Sequence, residues 1–489
     1  MLPYKNLIQL HRASSQALYL QIVEAFSQLI QQGQLIAQQQ LPSSRTLSQW
    51  IGVHSNSVSM AYEELEAQGW VEIKARKGVF VQEKMPLIEG KNIGKATSAS
   101  SQLGYSIQST PFIKTVTTPP SHQLAFDDGI PDVKLAPLAA LGRAYRAVVQ
   151  RSSFKKSLEY GSTLGEWTLR KVLQEHLQTT RGLGLELEHL MITRGSIMGI
   201  YLVAQLLLKA GDKVVVGQLN YPTANSIFKQ AGAQLLPIAV DEQGLVIQEL
   251  EALCQQHCIQ AIYVASHHHH PTTVTLSASR RLQLLALAKQ YQFAIIEDDY
   301  DYDYHYQRNP ILPLASLDNF QQVIYIGSMS KVLAPAFRVG FVVAHPQLIQ
   351  QMGKLRRIVD RQGDFPLEKA IASLFQAGEI QRHLRRALRV YQERRDCLVQ
   401  LLQEQCEGAI SFSIPNGGMA LWAVFDPSID LVRTGQAALK KGLFFRADNY
   451  YTSNFPALKA TRLGFASLSL SEIETAVPLL TQSLTLKKT

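Results

Sequence analysis

The chain has 489 residues, 46% hydrophobic and 18% charged, with a formal net charge of +9; this is too long for one ordinary core, so two or more domains are expected. Its longest apolar stretch, Ile197 to Leu208, falls well short of the roughly 20 residues a membrane span requires, and MLPYKNLIQLHR lacks the charged and apolar halves of a secretion signal, so no membrane partner and a cytoplasmic location are expected. Four cysteines, with Cys254 and Cys258 one helical turn apart and no second pair at zinc-site spacing, read as free thiols in a reducing compartment.

Texture divides the chain into a patterned block over 1–82, a Ser-, Thr-, Gly- and Pro-rich stretch over 83–122 that reads as a flexible linker, and an alternating strand and helix region over 123–489. The charge hints at an anionic partner, yet residues 1–84 hold seven Lys or Arg against six Asp or Glu. A nucleic-acid reading therefore rests on pattern. Leu18, Ile22, Ala25, Phe26, Leu29 and Ile30 give an amphipathic helix stopped at Gly33. Leu47, Trp50 and Ile51 mark a short helix before Gly52, and Ser55 is positioned to cap a second helix with a stripe of Val58, Ala61, Tyr62 and Leu65. VEIKARKGVFV follows as two strands about a basic turn, so the order is that of a winged helix-turn-helix.

These segments, LYLQIVEAFSQLIQQGQL, LPSSRTLSQWIGV and NSVSMAYEELEAQGWVE, resemble the winged helix of the GntR superfamily. The resemblance implies contacts to double-stranded DNA from Ser44, Arg45, Ser55, Asn56 and Ser57, with Lys77 and Gly78 at the wing. A helical dimerisation module with solvated polar positions is the alternative.

From Gln123 onward, runs such as KVVVG, AIYVAS, FAIIED, VIYIGS and VGFVVA alternate with helical segments, which predicts an α/β fold with a mostly parallel sheet covered on both faces. Ligands of such sheets bind beyond the carboxyl ends of the strands. ITRGSIMGIYL opens a helix at Gly195 and Ser196, where free N–H groups and the helix dipole suit an anion, although many such starts are only caps. Tyr221 follows KVVVGQLN and reads either as a ring stacked on a ligand or as a packed turn residue. FAIIEDDY ends in carboxylates, of which Asp298 suits a pyridine nitrogen and Tyr300 a phenolic oxygen, or the acids cap the next turn. VIYIGSMSKVLAPAFRVGFVV sets Lys331 after a strand, between Ser328 and Arg338: it reads either as an ordinary surface lysine or as one suited to a Schiff base beside a hydroxyl and a guanidinium suited to phosphate.

In chain order, YGSTLGEWTLRKVLQEHL, TRGSIMGIYL, EDDYDYDY, YIGSMSKVLAPAFRVGF and TRLGFASLS resemble fold type I aminotransferases. That resemblance implies a pyridoxal 5'-phosphate domain with a smaller C-terminal α/β subdomain, and Lys331 as the catalytic, aldimine-forming lysine. It also implies Asp298 on the ring nitrogen, Tyr221 stacking, Ser196, Ser328 and Arg338 on the phosphate, and Arg462 as the arm for a substrate carboxylate. A winged helix fused to such a domain is similar to the MocR group of regulators. The implied function is a homodimeric transcription regulator that senses an amine, an amino acid or pyridoxal phosphate through Lys331; an aminotransferase yielding keto acids with an accessory DNA-binding domain is the competing reading.

The loop that carries Asn-Pro-Thr-Gly in aminotransferases is here VASHHHHPTTVTL, with His270 at the Asn position and Thr273 at the Gly position. His270 is expected to donate the hydrogen bond that Asn gives the cofactor's phenolic oxygen. Four histidines on an extended segment alternate in direction, so at most two converge and no metal is expected. Arg382, Arg385, Arg386 and Arg389 fall near one helical face, which suits either DNA phosphates or a solvated or subunit-facing helix.

Overall fold

The computed structural model describes residues 3–14, 16–83, 105–107, 110, 112, 124–151, 159–306, 311–448, 450–452, 455 and 457–486. The chain divides into two compact units, Met1–Ser109 and Thr110–Thr489. The expected linker over 83–122 lies mostly outside the described residues.

In the first unit, helix Leu18–Gln31 buries Ile22, Phe26, Leu29 and Ile30, the stripe that its spacing implies. Helix Ser44–Ile51 starts where the Ser43 hydroxyl accepts the Thr46 N–H (3.2 Å) and stops at Gly52, whose φ of 68° is left-handed. Helix Ser55–Ala67 begins one residue earlier than a Ser55 cap would allow. The chain leaves the glycine turn extended at His54, so the His54 ring nitrogen accepts the Asn56 N–H (3.3 Å) and Ser55 is already helical. Strands Val71–Lys74 and Gly78–Val81 pair antiparallel as the wing. Gly78 has φ +112°, and a Cβ there would lie 2.9 Å from the Gln40 amide, which itself donates to the Lys77 carbonyl (2.8 Å). A further helix, Tyr4–Leu7, is too short for periodicity to announce; Tyr4 stacks on Trp50 with centroids 5.9 Å apart.

The second unit is built on a seven-stranded sheet in the spatial order Leu190–Thr193, Gly340–Val343, Val323–Ser328, Ala294–Asp299, Ile259–Val264, Lys213–Gly217 and Gln234–Ile238. Only Gly340–Val343 runs antiparallel to its neighbours. Side chains alternate between two cores: Ile192, Val215, Ile262 and Ile295 join one, and Met191, Val214, Val216, Ala261 and Ile296 the other. Helices Trp167–Arg181 and Ala278–Tyr291 cover the first face; Gly195–Leu207 and Pro346–Val359 cover the second.

A smaller body combines the antiparallel strands Ile410–Ser411, Ala420–Phe425 and Ala460–Gly464 with helices Glu379–Gln405 and Leu470–Thr481. It is not purely C-terminal. Strand Leu124–Phe126, near the start of the unit, pairs in parallel with Leu443–Phe445, and Phe126 is buried in the same core. Three residues cannot hold a strand alone, so this segment is fixed by its partner and by Phe126. The consequence is positional: residues 127–130 are carried to the site described next.

Candidate cofactor site and DNA-reading helices

Because six strands run the same way, Thr193, Gly217, Val264, Asp299 and Ser328 end at one edge of the sheet. Gly340, the first residue of the antiparallel strand, pairs there with both Thr193 and Ser328. A cavity of about 230 Å³ opens at this edge. Ser196, Tyr221, His270, Asp298, Tyr300, Ser328, Lys331 and Arg338 all line it, together with Asp128, Ile130, Ile197, Tyr263, Ser330 and Pro335. Gly195, the remaining residue singled out for the cofactor, lies just behind the wall: it has φ +76°, and a Cβ on it would meet the Arg338 guanidinium at 2.7 Å.

Lys331 donates from Nζ to the Gly129 carbonyl (2.6 Å) and lies 5.9 Å from the centroid of the Tyr300 ring. Burial lowers the pKa of its ammonium, which favours the neutral, nucleophilic amine. Asp298 accepts from the Tyr263 hydroxyl at Oδ2 (2.6 Å), while its Oδ1 is buried with no partner. Burial, reinforced by the neighbouring Asp299 and Asp301, pushes the Asp298 carboxyl up to about 7 against the pull of Tyr263. Across the cavity, helix Gly195–Leu207 begins without a side-chain cap, so its first N–H groups are open to an anion beside Ser196, Ser328 and Arg338. Arg338 is exposed and, among the described residues, the one hydrogen bond of its guanidinium is to the Arg194 carbonyl (3.4 Å).

The histidine run departs from expectation. Residues 266–268 form a bend rather than an extended segment, and each histidine takes its own partner. His267 Nδ1 lies 3.2 Å from Asp299, His268 Nδ1 2.7 Å from Asp301 and His269 Nδ1 2.8 Å from Thr272; His270 Nε2 lies 3.1 Å from both oxygens of Asp128. Only His270 reaches the cavity; the rings of His267 and His268 pack instead on His305, at 5.3 and 4.9 Å. Among the described residues no group of three or more His, Cys, Asp or Glu is arranged to hold a metal ion. Burial lowers the His270 pKa despite Asp128 beside it, so the ring is neutral and its single N–H goes to Asp128. That leaves Nδ1 a buried lone pair, and the donor expected for a phenolic oxygen is already engaged. The Tyr300 hydroxyl likewise donates to the His268 carbonyl (2.9 Å).

Arg462 also differs from expectation. Its Nε lies 2.8 Å from Asp128 Oδ1, its Nη1 donates to the Pro271 carbonyl (3.1 Å), and it stands behind the cavity wall, 2% exposed. Its cation is met by a carboxylate of the same chain because the strand Leu124–Phe126 delivers Asp128 there. Neither Asp128 nor Tyr263 was visible in the sequence. Tyr263 sits in an apolar run, and Asp128 is 142 residues from its partner His270.

In the first unit, Arg45 is exposed and Ser44 half-buried on the first turn of helix Ser44–Ile51. Asn56 is exposed between the half-buried Ser55 and Ser57 on the first turn of helix Ser55–Ala67, and Lys77 and Gly78 are exposed on the wing. Arg382, Arg385, Arg386 and Arg389 of helix Glu379–Gln405 are exposed too. Two of them are engaged within the chain, Arg382 with Glu379 (2.9 Å) and Arg386 with the Leu135 carbonyl (3.1 Å).

Comparison with known families agrees with this geometry. The model for aminotransferase class I and II matches residues 126–480. The chain belongs to that family. A second model, for bacterial regulatory proteins of the gntR family, matches residues 18–81, which adds a DNA-binding domain and gives the chain the architecture of MocR-type regulators. It is 26% identical over 468 residues to the probable rhizopine catabolism regulatory protein MocR of Rhizobium meliloti, covering 94% of this chain and 92% of that one. It is 28% identical to the HTH-type pyridoxine biosynthesis transcriptional regulator PdxR of Corynebacterium glutamicum, covering 94% and 96%. Among solved structures, kynurenine aminotransferase of Pyrococcus horikoshii superposes with a TM-score of 0.69 at 27% identity, covering 74% of this chain and 91% of that one.

Membership of the aminotransferase family indicates pyridoxal phosphate binding, and the residues of the cavity fit that group. The unpartnered Asp298 Oδ1 is a buried acceptor suited to a protonated ring nitrogen. The uncapped helix at Gly195 with Arg338 suits a phosphate, and Lys331 lines the same cavity with a depressed pKa.

Proposed function

We propose that this chain is a cytoplasmic, homodimeric transcription regulator that reads double-stranded DNA through its winged helix and carries pyridoxal phosphate on Lys331 as the receiver for a small amine or amino acid. Asp298 holds the ring nitrogen, Tyr221 lies against the ring, and Tyr300 and His270 border its phenolic side. Gly195, Ser196, Ser328 and Arg338 hold the phosphate. When bound, pyridoxal phosphate supplies an aldehyde carbon that captures primary amines. Ser44, Arg45, Ser55, Asn56 and Ser57 contact DNA from two helix starts, with Lys77 and Gly78 at the wing. An effector alters DNA binding only through a difference in its affinity for the two states of the protein.

The observation that carries this reading is the convergence of Lys331, the unpartnered Asp298 oxygen and the uncapped helix at Gly195 on one cavity, in a chain that also has a gntR-type DNA-binding domain. The test is the absorbance of the protein with pyridoxal phosphate, beside Lys331→Ala, during titration with amines and amino acids while binding to its own upstream DNA is followed. A visible band that requires Lys331, shifts with an amine and changes DNA affinity is the expected result. Multiple turnover releasing a keto acid, with DNA affinity unmoved, overturns the regulator in favour of an aminotransferase; absence of a band in the wild type overturns the role of Lys331.

A further inference from the structure

Asp128 is the carboxylate in the cavity wall that the proposed cofactor roles leave unused. Two donors and a cation surround it: His270 Nε2 at 3.1 Å from each oxygen, the Tyr451 hydroxyl at 2.7 Å from Oδ1, and the Arg462 guanidinium, ion-paired through Nε at 2.8 Å from Oδ1. Burial opposes its charge, but the His270 ring, the Arg462 guanidinium and the Tyr451 hydroxyl outweigh burial and keep the carboxyl ionised. Its side chain is 40% exposed, and it lines the cavity. Oδ2 receives His270 alone among the described residues, so it retains a free acceptor position.

The backbone beneath it is fixed. Asp127 Oδ1 accepts the N–H groups of Gly129 and Ile130, both at 2.8 Å, and its Oδ2 accepts from Ser467 (2.6 Å). The Gly464 N–H donates to the Asp127 carbonyl (2.9 Å), and Asp132 is tied to Arg394 (3.0 Å). Asp128 therefore cannot leave Arg462 by a movement of the loop without breaking these bonds.

An amino acid entering this cavity needs a free cation for its carboxylate. Lys331 is committed to the cofactor and Arg338 stands at the phosphate end, which leaves Arg462, and Arg462 is already neutralised by Asp128. We propose that Asp128 is a built-in carboxylate that takes the place of a ligand's own, so that the cavity selects primary amines without an α-carboxylate and favours those whose second ammonium can reach Asp128 Oδ2. The inference rests on the proposed role of the cavity as an amine receiver and names the chemical class it receives: a short diamine rather than an amino acid. A desolvated like-charge encounter between Asp128 and an incoming carboxylate adds a penalty that a diamine escapes.

Putrescine and L-ornithine make a matched pair, since ornithine is putrescine with an α-carboxylate added. The experiment titrates each into the full-length protein loaded with pyridoxal phosphate and reads the half-saturation of the shift in the Lys331-dependent band, in the wild type and in Asp128→Asn. The wild type is expected to respond to putrescine at a concentration at least tenfold below that for ornithine. Asp128→Asn, which keeps the size of the side chain and a partner for Tyr451 while freeing Arg462, should bring the two ligands together or invert their order. Wild-type protein that prefers ornithine overturns the inference without any variant being needed, as does a preference for putrescine that Asp128→Asn leaves unchanged; in both cases the band persists and the receiver role stands. Loss of the band from the wild type itself overturns the receiver role and the inference with it.

Discussion

The two units place their functional groups by opposite means. In the winged helix, Arg45, Asn56 and Lys77 are exposed, each within a few residues of the turn that presents it. In the aminotransferase-like unit, Lys331 meets a carbonyl 202 residues away at Gly129, next to Asp128, and Asp298 and His270 come from two further segments. Exposed groups next to their own turns act nearly independently, so replacing one removes one contact. Buried groups gathered from afar set one another's protonation, so replacing one changes the state of its neighbours.

The sharpest test of that difference is Asp298→Asn. In the cofactor-free protein the Asp298 carboxyl is raised from 3.8 to about 7 by burial. A raised carboxyl contributes stability that is complete below about pH 4 and is lost as pH climbs through 7, because the unfolded chain gives up that proton earlier. By pH 8 the loss is about 4 kcal/mol. Asparagine stays neutral, so the variant should melt well above wild type at pH 8 and close to it at pH 4. With pyridoxal phosphate present the order should reverse, since asparagine offers no charge to a protonated ring nitrogen. A gap in melting temperature that is the same at both pH values would break the contrast.

Arg45→Ala should behave in the opposite way. Its guanidinium is exposed on the first turn of its helix and has no ion pair among the described residues, so its removal should weaken binding to specific DNA by about 2 kcal/mol, roughly 30-fold. The visible band and the melting of the second unit should not move. Gel-shift titration beside an absorbance spectrum reads both, and a change in the spectrum would show that the two units do not vary independently.

The same contrast explains what could be read in advance. The helices and wing of the first unit are set by local spacing and by glycines at turns, so they were legible apart from Tyr4–Leu7 and the His54 cap. The mostly parallel sheet and its shared edge followed from buried runs alternating with helices, and Lys331, Asp298 and Ser196 line one cavity at that edge, while the order of the strands was not legible. What escaped was everything decided by long-range return of the chain. Leu124–Phe126 joins the smaller body, Asp128 thereby reaches Arg462, and the histidine run bends to find four separate partners. Spacing along the sequence carries no signal for such encounters, because neither member of a pair stands in a pattern that names the other.

The smallest expected effect lies at the wing. Lys77 is exposed on the turn between Val71–Lys74 and Gly78–Val81, its carbonyl held by Gln40 (2.8 Å) and its side chain free to reach a phosphate. A phosphate contact is a counterion-release term: it adds affinity uniformly across sequences and steepens the dependence on salt. Lys77→Ala should therefore lower affinity for specific and non-specific DNA by the same few-fold factor and reduce the slope of log affinity against log salt by about one. If Lys77 read a base instead, specific binding would fall more than non-specific binding and the slope would hold. Measuring both DNAs at three salt concentrations separates these outcomes, and Gly78 sharpens the result. Any side chain there is strained at φ +112° and crowds Gln40, so Gly78→Ala should reproduce the loss of affinity by displacing the wing while leaving the lysine in place.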